Sequence, residues 1–240
     1  MSFTWAVAEN DNVARISELI AAKAIVDVKD RYGSTLLHKA AENGHIAALQ
    51  LLLDAKANVA MKDKKYGSTA LHLAAKKGYD AALQVLVNAK ADIAVKENRY
   101  GSTALHLATE NGHSAAVHVL VNAKADVDGS DRFGETPLHF AAENDHSVAL
   151  QVLIDAKAAV DVKDRYNSTS LHRAASRGHS VALQVLLDAK ATVNIKDNID
   201  RTPLYDAAEK GHSGTVHALV DAKADLTVKE KRYGTTASHV

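Results

Sequence analysis

The chain has 240 residues, with 29 basic and 29 acidic side chains, so its formal net charge is zero. This balance provides no overall positive field that would attract nucleic acid or an anionic membrane, although a local charged stripe stays compatible with it. Cysteine is absent, which excludes disulfides, thiolate metal ligands and a cysteine nucleophile.

Neither a signal peptide nor a membrane span is expected from the sequence. Residues 1–12 lack a basic segment followed by an apolar stretch, so we predict no signal peptide. No run approaches the roughly 18 apolar residues that a membrane span needs, so we predict no membrane insertion. We expect a cytoplasmic, or more broadly intracellular, protein. The absence of cysteine fits this setting, although a secreted protein can also lack cysteine, and delivery into a host cell stays open.

The chain repeats itself every 33 or 34 residues. The frame is marked by Gly33, Gly67, Gly101, Gly134, Asn167, Asp200 and Gly234. A fixed period in this range indicates stacked supersecondary units, in which neighbours bury each other's apolar faces. We therefore predict one elongated array rather than one or two globular domains.

The unit 67–100 shows the predicted elements in order. Thr69 precedes an apolar helical pattern and is expected to cap the first helix. Gly78 ends that helix, because a sharp reversal favours a left-handed backbone that costs glycine little. A second helix follows, with Leu83 and Leu86 on one buried face. A polar segment, which we call the finger, then leads to the next frame residue.

The repeated motif Gly-x-Thr-x-Leu-His-x-Ala-Ala-x-x-Gly-His, followed by a leucine-rich helix and a polar finger, resembles the ankyrin repeat. Gly134 to His139 match the motif almost completely, whereas Tyr205 stands where the sixth repeat should have histidine. The resemblance covers essentially the whole chain. It implies an all-α solenoid of stacked helix–turn–helix units with hairpin-like fingers and minimal strand content.

The resemblance also implies the domain boundaries. Residues 1–32 are expected to form an N-terminal capping repeat that is entered at its first helix. Six full repeats are expected at 33–66, 67–100, 101–133, 134–166, 167–199 and 200–233. Residues 234–240 begin a further repeat and stop inside its first helix.

A consistent departure from the family pattern follows the second helix. Ankyrin repeats usually have glycine there, and this chain has Lys23, Lys56, Lys90, Lys124, Lys157, Lys190 and Lys223. If the position keeps a left-handed backbone, each lysine costs on the order of 1 kcal/mol relative to glycine. A cation at a helix C-terminus recovers part of that cost.

Eleven of the 13 histidines fall on two repeat positions. They are His38, His72, His106, His139, His172 and His239 in the first helices, and His45, His113, His146, His179 and His212 after the turn. The resemblance implies that they bond backbone groups and the capping threonines. Equivalent histidines lie in layers about 10 Å apart. Zinc requires several ligand atoms within roughly 2 Å of the same ion, so these histidines cannot bind one zinc ion together. We predict no metal and no cofactor.

Catalytic motifs are missing as well. The chain has no Gly-x-Ser-x-Gly elbow, no phosphate-binding loop and no His-Glu-x-x-His pair. Asp145 and His146 are adjacent, but both occupy repeat positions that folding explains. We predict that the chain is not an enzyme.

The strongest functional signal lies in the fingers, where a basic residue and an aromatic residue precede the frame position. The pairs are Arg31–Tyr32, Lys65–Tyr66, Arg99–Tyr100, Arg132–Phe133, Arg165–Tyr166 and Arg232–Tyr233, and the finger that leads to Asp200 has Ile199 instead. The resemblance implies that these residues edge a concave binding surface. Tyrosine and arginine also dominate binding hot spots.

Exposed first-helix residues complete the predicted site. The partner contacts expected there are Lys76, Lys77, Glu110, Asn111, Glu143, Asn144 and Arg177. We predict a protein–protein interaction module that binds another protein as a monomer.

Other interpretations stay open at this point. Duplicated repeats inherit the finger pair whether or not it binds anything: tyrosine could pack on the next finger, and arginine could pair with Asp30, Asp63, Asp131 or Asp164. The array could instead be a structural spacer of a larger protein or part of a host-directed effector. Nucleic-acid binding fits less well, because an acidic residue accompanies each finger. An acidic peptide or protein surface matches the basic stripe better.

Overall fold

The computed structural model describes residues 13–22 and 26–239. Within these residues the chain forms thirteen α-helices and no strand. The helices are α1 (Val13–Ala21), α2 (Leu36–Glu42), α3 (Ile46–Asp54), α4 (Ala70–Lys77), α5 (Asp80–Asn88), α6 (Ala104–Glu110), α7 (Ser114–Asn122), α8 (Pro137–Glu143), α9 (Ser147–Asp155), α10 (Ser170–Arg177), α11 (Ser180–Asp188), α12 (Pro203–Glu209) and α13 (Ser213–Asp221). The predicted first helix of the capping repeat, Lys23 and Val240 lie outside the described residues.

The helices fall into two compact units, Met1–Asp126 and Val127–Val240. In the first unit, α2, α4 and α6 stack in one layer, and α1, α3, α5 and α7 stack in a second. In the second unit, α8, α10 and α12 form one layer, and α9, α11 and α13 form the other. We call the even-numbered helices first helices and the odd-numbered ones second helices. Each first helix packs on the second helix of its own repeat, which confirms the predicted all-α repeat solenoid.

The helix faces are buried as the apolar periodicity predicts. In the repeat 67–100, Leu71, Ala74 and Ala75 of α4 are buried, and so are Leu83 and Leu86 of α5. Alanine pairs in the first helices allow neighbouring helices to approach closely, while the leucines fill the space between layers. Each fully buried leucine contributes about 1.5–3 kcal/mol of transfer free energy.

Five of the six first helices, α2, α4, α6, α8 and α10, begin at a threonine whose partner is the motif histidine. In α4, the Thr69 hydroxyl oxygen lies 2.8 Å from Nδ1 of His72, and the Thr69 backbone N–H donates to the same nitrogen at 3.2 Å. Because a backbone N–H only donates, Nδ1 is an acceptor and the ring proton sits on Nε2. The same capping box recurs at Thr35, Thr103, Thr136 and Thr169.

The histidines also join repeats within each unit. In the first unit, Nε2 of His38 donates to the carbonyl oxygen of Ser68 at 3.1 Å. In the second unit, His139 bonds Ser168 in the same way at 3.1 Å. Burial lowers the pKa of His38, His72, His139 and His172, with backbone hydrogen bonds opposing the shift. Their structural role is as the resemblance implied.

Tyr205, which replaces the motif histidine in α12, makes equivalent contacts at the helix start and with the next repeat. Its backbone N–H donates to the Thr202 hydroxyl at 3.3 Å, which keeps the helix cap. Its phenol lies 2.9 Å from the hydroxyl of Thr235 at the start of the following repeat, which keeps a link between repeats. The side chain is buried, with 4% of the residue exposed.

The lysines that follow the described second helices from α3 to α13 have a left-handed backbone, which is the condition for the conformational cost expected from the sequence. Lys90 has φ 65°, and Lys56, Lys124, Lys157, Lys190 and Lys223 have φ between 66° and 69°. At the end of α5, the N–H of Lys90 bonds the carbonyl of Val87, and that of Ala91 bonds Leu86. This is the Schellman arrangement, in which the left-handed position normally holds glycine.

Candidate protein-binding surface

Each finger turn is folded around a carboxylate. Glu97 is buried, with 6% exposed, and accepts hydrogen bonds from the backbone N–H groups of Arg99, Tyr100 and Ser102. Asp30, Asp63, Asp131, Asp164, Asp197 and Glu230 accept backbone N–H groups of their own turns in the same way. The acidic residues in the fingers therefore serve the turn backbone.

Neighbouring fingers are joined by backbone hydrogen bonds. The Lys64 N–H donates to the Tyr32 carbonyl oxygen at 2.8 Å in the first unit. In the second unit, Arg165 donates to Phe133 and Asn198 donates to Tyr166, both at 2.9 Å. The carbonyl of the aromatic residue is thus fixed by the next finger at Tyr32, Phe133 and Tyr166, which holds these basic–aromatic pairs in place.

The side chains of the pairs stack within and between fingers. The Arg165 guanidinium lies 4.0 Å from the ring centroid of Phe133 in the preceding finger and 5.6 Å from Tyr166. In the first unit, Arg99 lies 5.6 Å from the ring of Tyr66 and 4.6 Å from that of Tyr100. In both pairs the arginine therefore packs on the aromatic ring of the preceding finger. Within the described part of the chain, Asp164 pairs with Arg173 and not with Arg165.

The predicted contact residues all keep accessible surface. Those that are exposed are Arg31, Tyr32, Lys65, Lys76, Lys77, Arg99, Tyr100, Glu110, Asn111, Arg132, Asn144, Arg165, Tyr166, Arg177 and Ile199. Tyr66, Phe133 and Glu143 are half-buried. We call these eighteen residues the finger–helix surface and describe it for each unit separately.

The side chains of two asparagines at the ends of first helices are hydrogen-bonded to backbone carbonyl groups. The side-chain amide of Asn111 donates to the carbonyl oxygen of Leu107 at 2.8 Å, and that of Asn144 donates to Phe140 at 3.0 Å. These bonds satisfy carbonyl groups that a helix end leaves unpaired. Folding thus accounts for part of what the sequence assigned to binding.

In the first unit, a groove of about 380 Å³ lies between the fingers and the helices α4 and α6. Leu73 and Leu107 contribute apolar lining, and Tyr66 and Tyr100 contribute aromatic lining. Basic residues at the groove are Lys65, Lys76, Lys77 and Arg99. Tyr66, Tyr100 and Arg99 are of the residue types that are enriched in protein interfaces.

The cations of the groove differ in what they contact. Lys65 bonds the phenol of Tyr66, which lowers the pKa of Tyr66 and raises that of Lys65. Lys76 and Lys77 have no carboxylate within ion-pair distance among residues 13–22 and 26–239. The Lys76 backbone carbonyl accepts a bond from Nε2 of His113 at 3.1 Å, so the end of α4 is fixed while its ammonium groups stay available.

The equivalent surface of the second unit is neutralised internally. Nη2 of Arg173 lies 2.7 Å from Oδ2 of Asp164 and 2.5 Å from Oε1 of Glu135. Glu143 lies 3.5 Å from Arg173 and 2.5 Å from Arg177. Burial raises the pKa of Glu135, and the charge of Arg173 opposes that shift.

The sequence reasoning missed the residue that follows each first-helix histidine. This position holds Lys39, Leu73, Leu107, Phe140, Arg173 and Asp206. Leu73 and Leu107 line the groove of the first unit, and Arg173 centres the ion-pair network of the second. The only signal in the sequence is that this position varies between constant neighbours, the leucine–histidine or leucine–tyrosine pair before it and an alanine after it.

Two further properties bear on the class of protein. In the described segments, no group of three or more histidine, aspartate or glutamate side chains is placed to hold a metal ion. None of the helices in these segments has the length and apolarity needed to cross a lipid bilayer.

The helix–turn–helix repeats and bonded fingers define an all-α repeat protein. A family model described as "Ankyrin repeats (3 copies)" matches residues 3–97, 93–164 and 149–230. The chain therefore belongs to the ankyrin repeat family. Ankyrin repeats are in general protein–protein interaction modules.

Among solved structures, the chain is similar to the ankyrin repeat domain of human ASB11. The two share 24% sequence identity with a TM-score of 0.82, over 91% of this chain and 96% of that domain. At this identity the likeness shows the fold alone. A search of curated proteins found no significant match.

Proposed function

We propose that the chain is a non-catalytic module that binds another protein through the finger–helix surface. The observation that supports this most directly is the combination of exposed side chains with a fixed backbone. Tyr32 and Tyr166 are 50% and 57% exposed, yet a carboxylate and a finger–finger hydrogen bond hold the backbone of each finger. A surface that is already ordered loses little conformational entropy on binding.

The residues divide by the contact that each would make. Finger arginines and tyrosines would anchor the partner, because they offer large rigid area and a charge or hydroxyl. First-helix residues such as Lys76 and Glu110 would discriminate between partners, because they differ from repeat to repeat. The proposed module consists of six repeats between residues 33 and 233 and acts as a monomer. The absence of cysteine favours an intracellular setting.

A structural spacer is the second candidate, and the finger stacks favour it. Arg165 contacts Phe133 and Tyr166 within the chain itself, so the basic–aromatic pairs of the fingers can serve to stabilise the fold without any partner. Nucleic-acid binding has less support, since the net charge is zero. It would show an affinity that falls steeply with salt.

A paired pull-down tests the proposal. The baits are the wild-type array, a variant with Arg99, Tyr100, Arg132 and Phe133 changed to Ala, and a control with four exposed second-helix residues changed to Ala. The control residues are Val148, Gln151, Val181 and Gln184. Circular dichroism and urea midpoints first establish that all three baits are folded.

The expected result is a protein retained from lysate by wild type and control and lost by the finger variant, with the affinities then measured on purified components. Equal retention by all three baits would place the site elsewhere on the chain. No retained protein on any bait would favour the spacer.

A further inference from the structure

We propose that the groove of the first unit binds an acidic linear segment of the partner protein. A bulky apolar side chain of that segment would pack against Leu73 and Leu107, and its carboxylates would pair with Lys76 and Lys77. This inference rests on the proposed function and names the chemistry of the partner.

The apolar part of the groove suits one anchoring side chain. Leu73 and Leu107 are half-buried residues of adjacent first helices, and Tyr66 and Tyr100 line the same groove. The volume of about 380 Å³ accommodates a leucine, methionine or phenylalanine together with the backbone that carries it. Covering the leucines removes apolar surface from water, which favours a segment with an apolar residue over a purely charged one.

The groove is lined by four basic side chains and by the three carboxylates of Glu42, Glu97 and Glu110, so its formal charge is positive. Glu97 accepts hydrogen bonds from the backbone N–H groups of its own turn, and Glu42 pairs with Lys39 at 3.4 Å. Lys76 and Lys77 have no carboxylate within ion-pair distance among the described residues. Cations that the fold leaves unpaired next to an apolar contact complement an acidic segment.

In the second unit, the equivalent positions hold arginines that are paired with carboxylates. The repeat position of Leu73 holds Arg173 there, and that of Lys77 holds Arg177. Both arginines are paired with carboxylates of the same unit, through Glu143 in each case. The acidic segment is therefore assigned to the groove of the first unit.

Protein is favoured over nucleic acid as the occupant. Glu42, Glu97 and Glu110 lie in the same groove, and they would repel the continuous charge of a phosphate backbone. A peptide can instead place its carboxylates at the lysines and its apolar residue at the leucines. The two possibilities give different results in the test below.

The test selects peptides from a library of random 12-residue sequences displayed on phage, with the wild-type array as bait. Enriched peptides are then synthesised and measured against the array and three variants by fluorescence polarisation. K76E/K77E reverses the two unpaired charges. L73K removes the apolar contact while adding positive charge, and Lys39 shows that the fold already holds lysine at this repeat position. K196E/K229E makes the same charge change at exposed lysines of the second unit.

We expect enriched peptides in which Asp or Glu flanks Leu, Ile, Met or Phe. They should bind K196E/K229E as tightly as wild type, and K76E/K77E and L73K about tenfold more weakly. Because L73K adds a positive charge, weaker binding by this variant identifies the apolar contact. Urea midpoints establish that the variants are folded.

Enrichment of neutral or basic peptides, no enrichment at all, or acidic peptides that bind K76E/K77E as well as wild type would each overturn the inference. A fluorescein-labelled dT12 probe that binds through Lys76 and Lys77, with no acidic peptide enriched, would assign the groove to nucleic acid instead. If the peptide selection fails while the pull-down partner still depends on the fingers, the proposed function stands and only this inference falls. If acidic peptides bind the groove while the pull-down partner does not depend on the fingers, this inference stands and the fingers are not part of the binding site.

Discussion

Nε2 of His72 lies 2.9 Å from the carbonyl oxygen of Val95, so a first-helix side chain is bonded to the backbone of the finger. The ring is neutral in this arrangement, because Nδ1 accepts from Thr69 and Nε2 donates to Val95. A second proton would have to go to Nδ1 and would break the cap. The cap at the start of the helix and the bond to the finger therefore both depend on the neutral form of the histidine.

This coupling predicts that the array loses stability as the pH falls. The folded pKa of His38, His72, His139 and His172 lies below the ordinary 6.5 because of burial. Their contribution is therefore present above pH 6.5 and is lost as the pH falls below it towards the folded pKa values. We expect the urea midpoint to decrease from pH 7.5 to pH 5.5.

Raised carboxyl pKa values work in the opposite direction over the same range. Asp206 has a pKa of about 7, and burial also raises the pKa of Glu135. The decrease should therefore be steeper in D206N than in wild type. A midpoint that stays constant in D206N between pH 7.5 and 5.5 would show that the histidines are not linked to folding.

Asp206 should destabilise the protein at neutral and higher pH. Its pKa is raised from 3.8 to about 7, first by burial and then by the charges of Asp197 and Glu209, with Arg201 and Lys210 opposing. A raised folded pKa gives stability that is lost as the pH rises through about 7. We predict that D206N raises the free energy of unfolding by about 1–2 kcal/mol at pH 8 and by less at pH 5. Equal gains at both pH values would contradict a titrating Asp206.

Gly78 should tolerate no side chain, whereas Gly211 should tolerate one at moderate cost. The two have φ of 74° and 73°, so the backbone cost of a Cβ is the same. A Cβ on Gly78 would lie 2.5 Å from the ring of His113, and one on Gly211 would meet nothing within 4 Å. We predict losses of about 1 kcal/mol for G211A, from the left-handed backbone, and about 1–3 kcal/mol more for G78A, from overpacking. Thermal and urea unfolding of both variants measure the difference. Similar losses would mean that the His113 ring moves aside at little cost.

Replacing the left-handed lysines with glycine should stabilise the array. Lys90 and Lys124 have φ of 65° and 69° at the ends of α5 and α7. We predict that K90G and K124G each raise the free energy of unfolding by about 1 kcal/mol and that the double variant gains close to the sum. K196G serves as the control, since Lys196 is an exposed residue outside the set with positive φ. If K196G gains as much as K90G, the gain does not come from backbone strain.

Much of the fold could be predicted from the sequence because repetition averages out local ambiguity. The threonine cap, the turn glycine and the leucine face recur with each period, and Thr69, Gly78 and Leu83 lie where the periodicity places them. The left-handed lysines could be predicted for the same reason. Backbone conformation at a fixed repeat position depends on neighbours only a few residues away.

The site could be predicted only in part, because its chemistry depends on contacts between repeats. The sequence determined that basic and aromatic residues would recur together at the fingers and that histidines would serve the fold. Only the tertiary structure decided that Arg165 stacks on Phe133 of the preceding finger and that Lys76 and Lys77 lack the carboxylates that Arg173 and Arg177 have. The physical reason is that ion pairing and stacking act over a few ångströms between residues about 30 positions apart. A side chain's neighbour in the next repeat is fixed by the packing of the helices, and no local pattern encodes it.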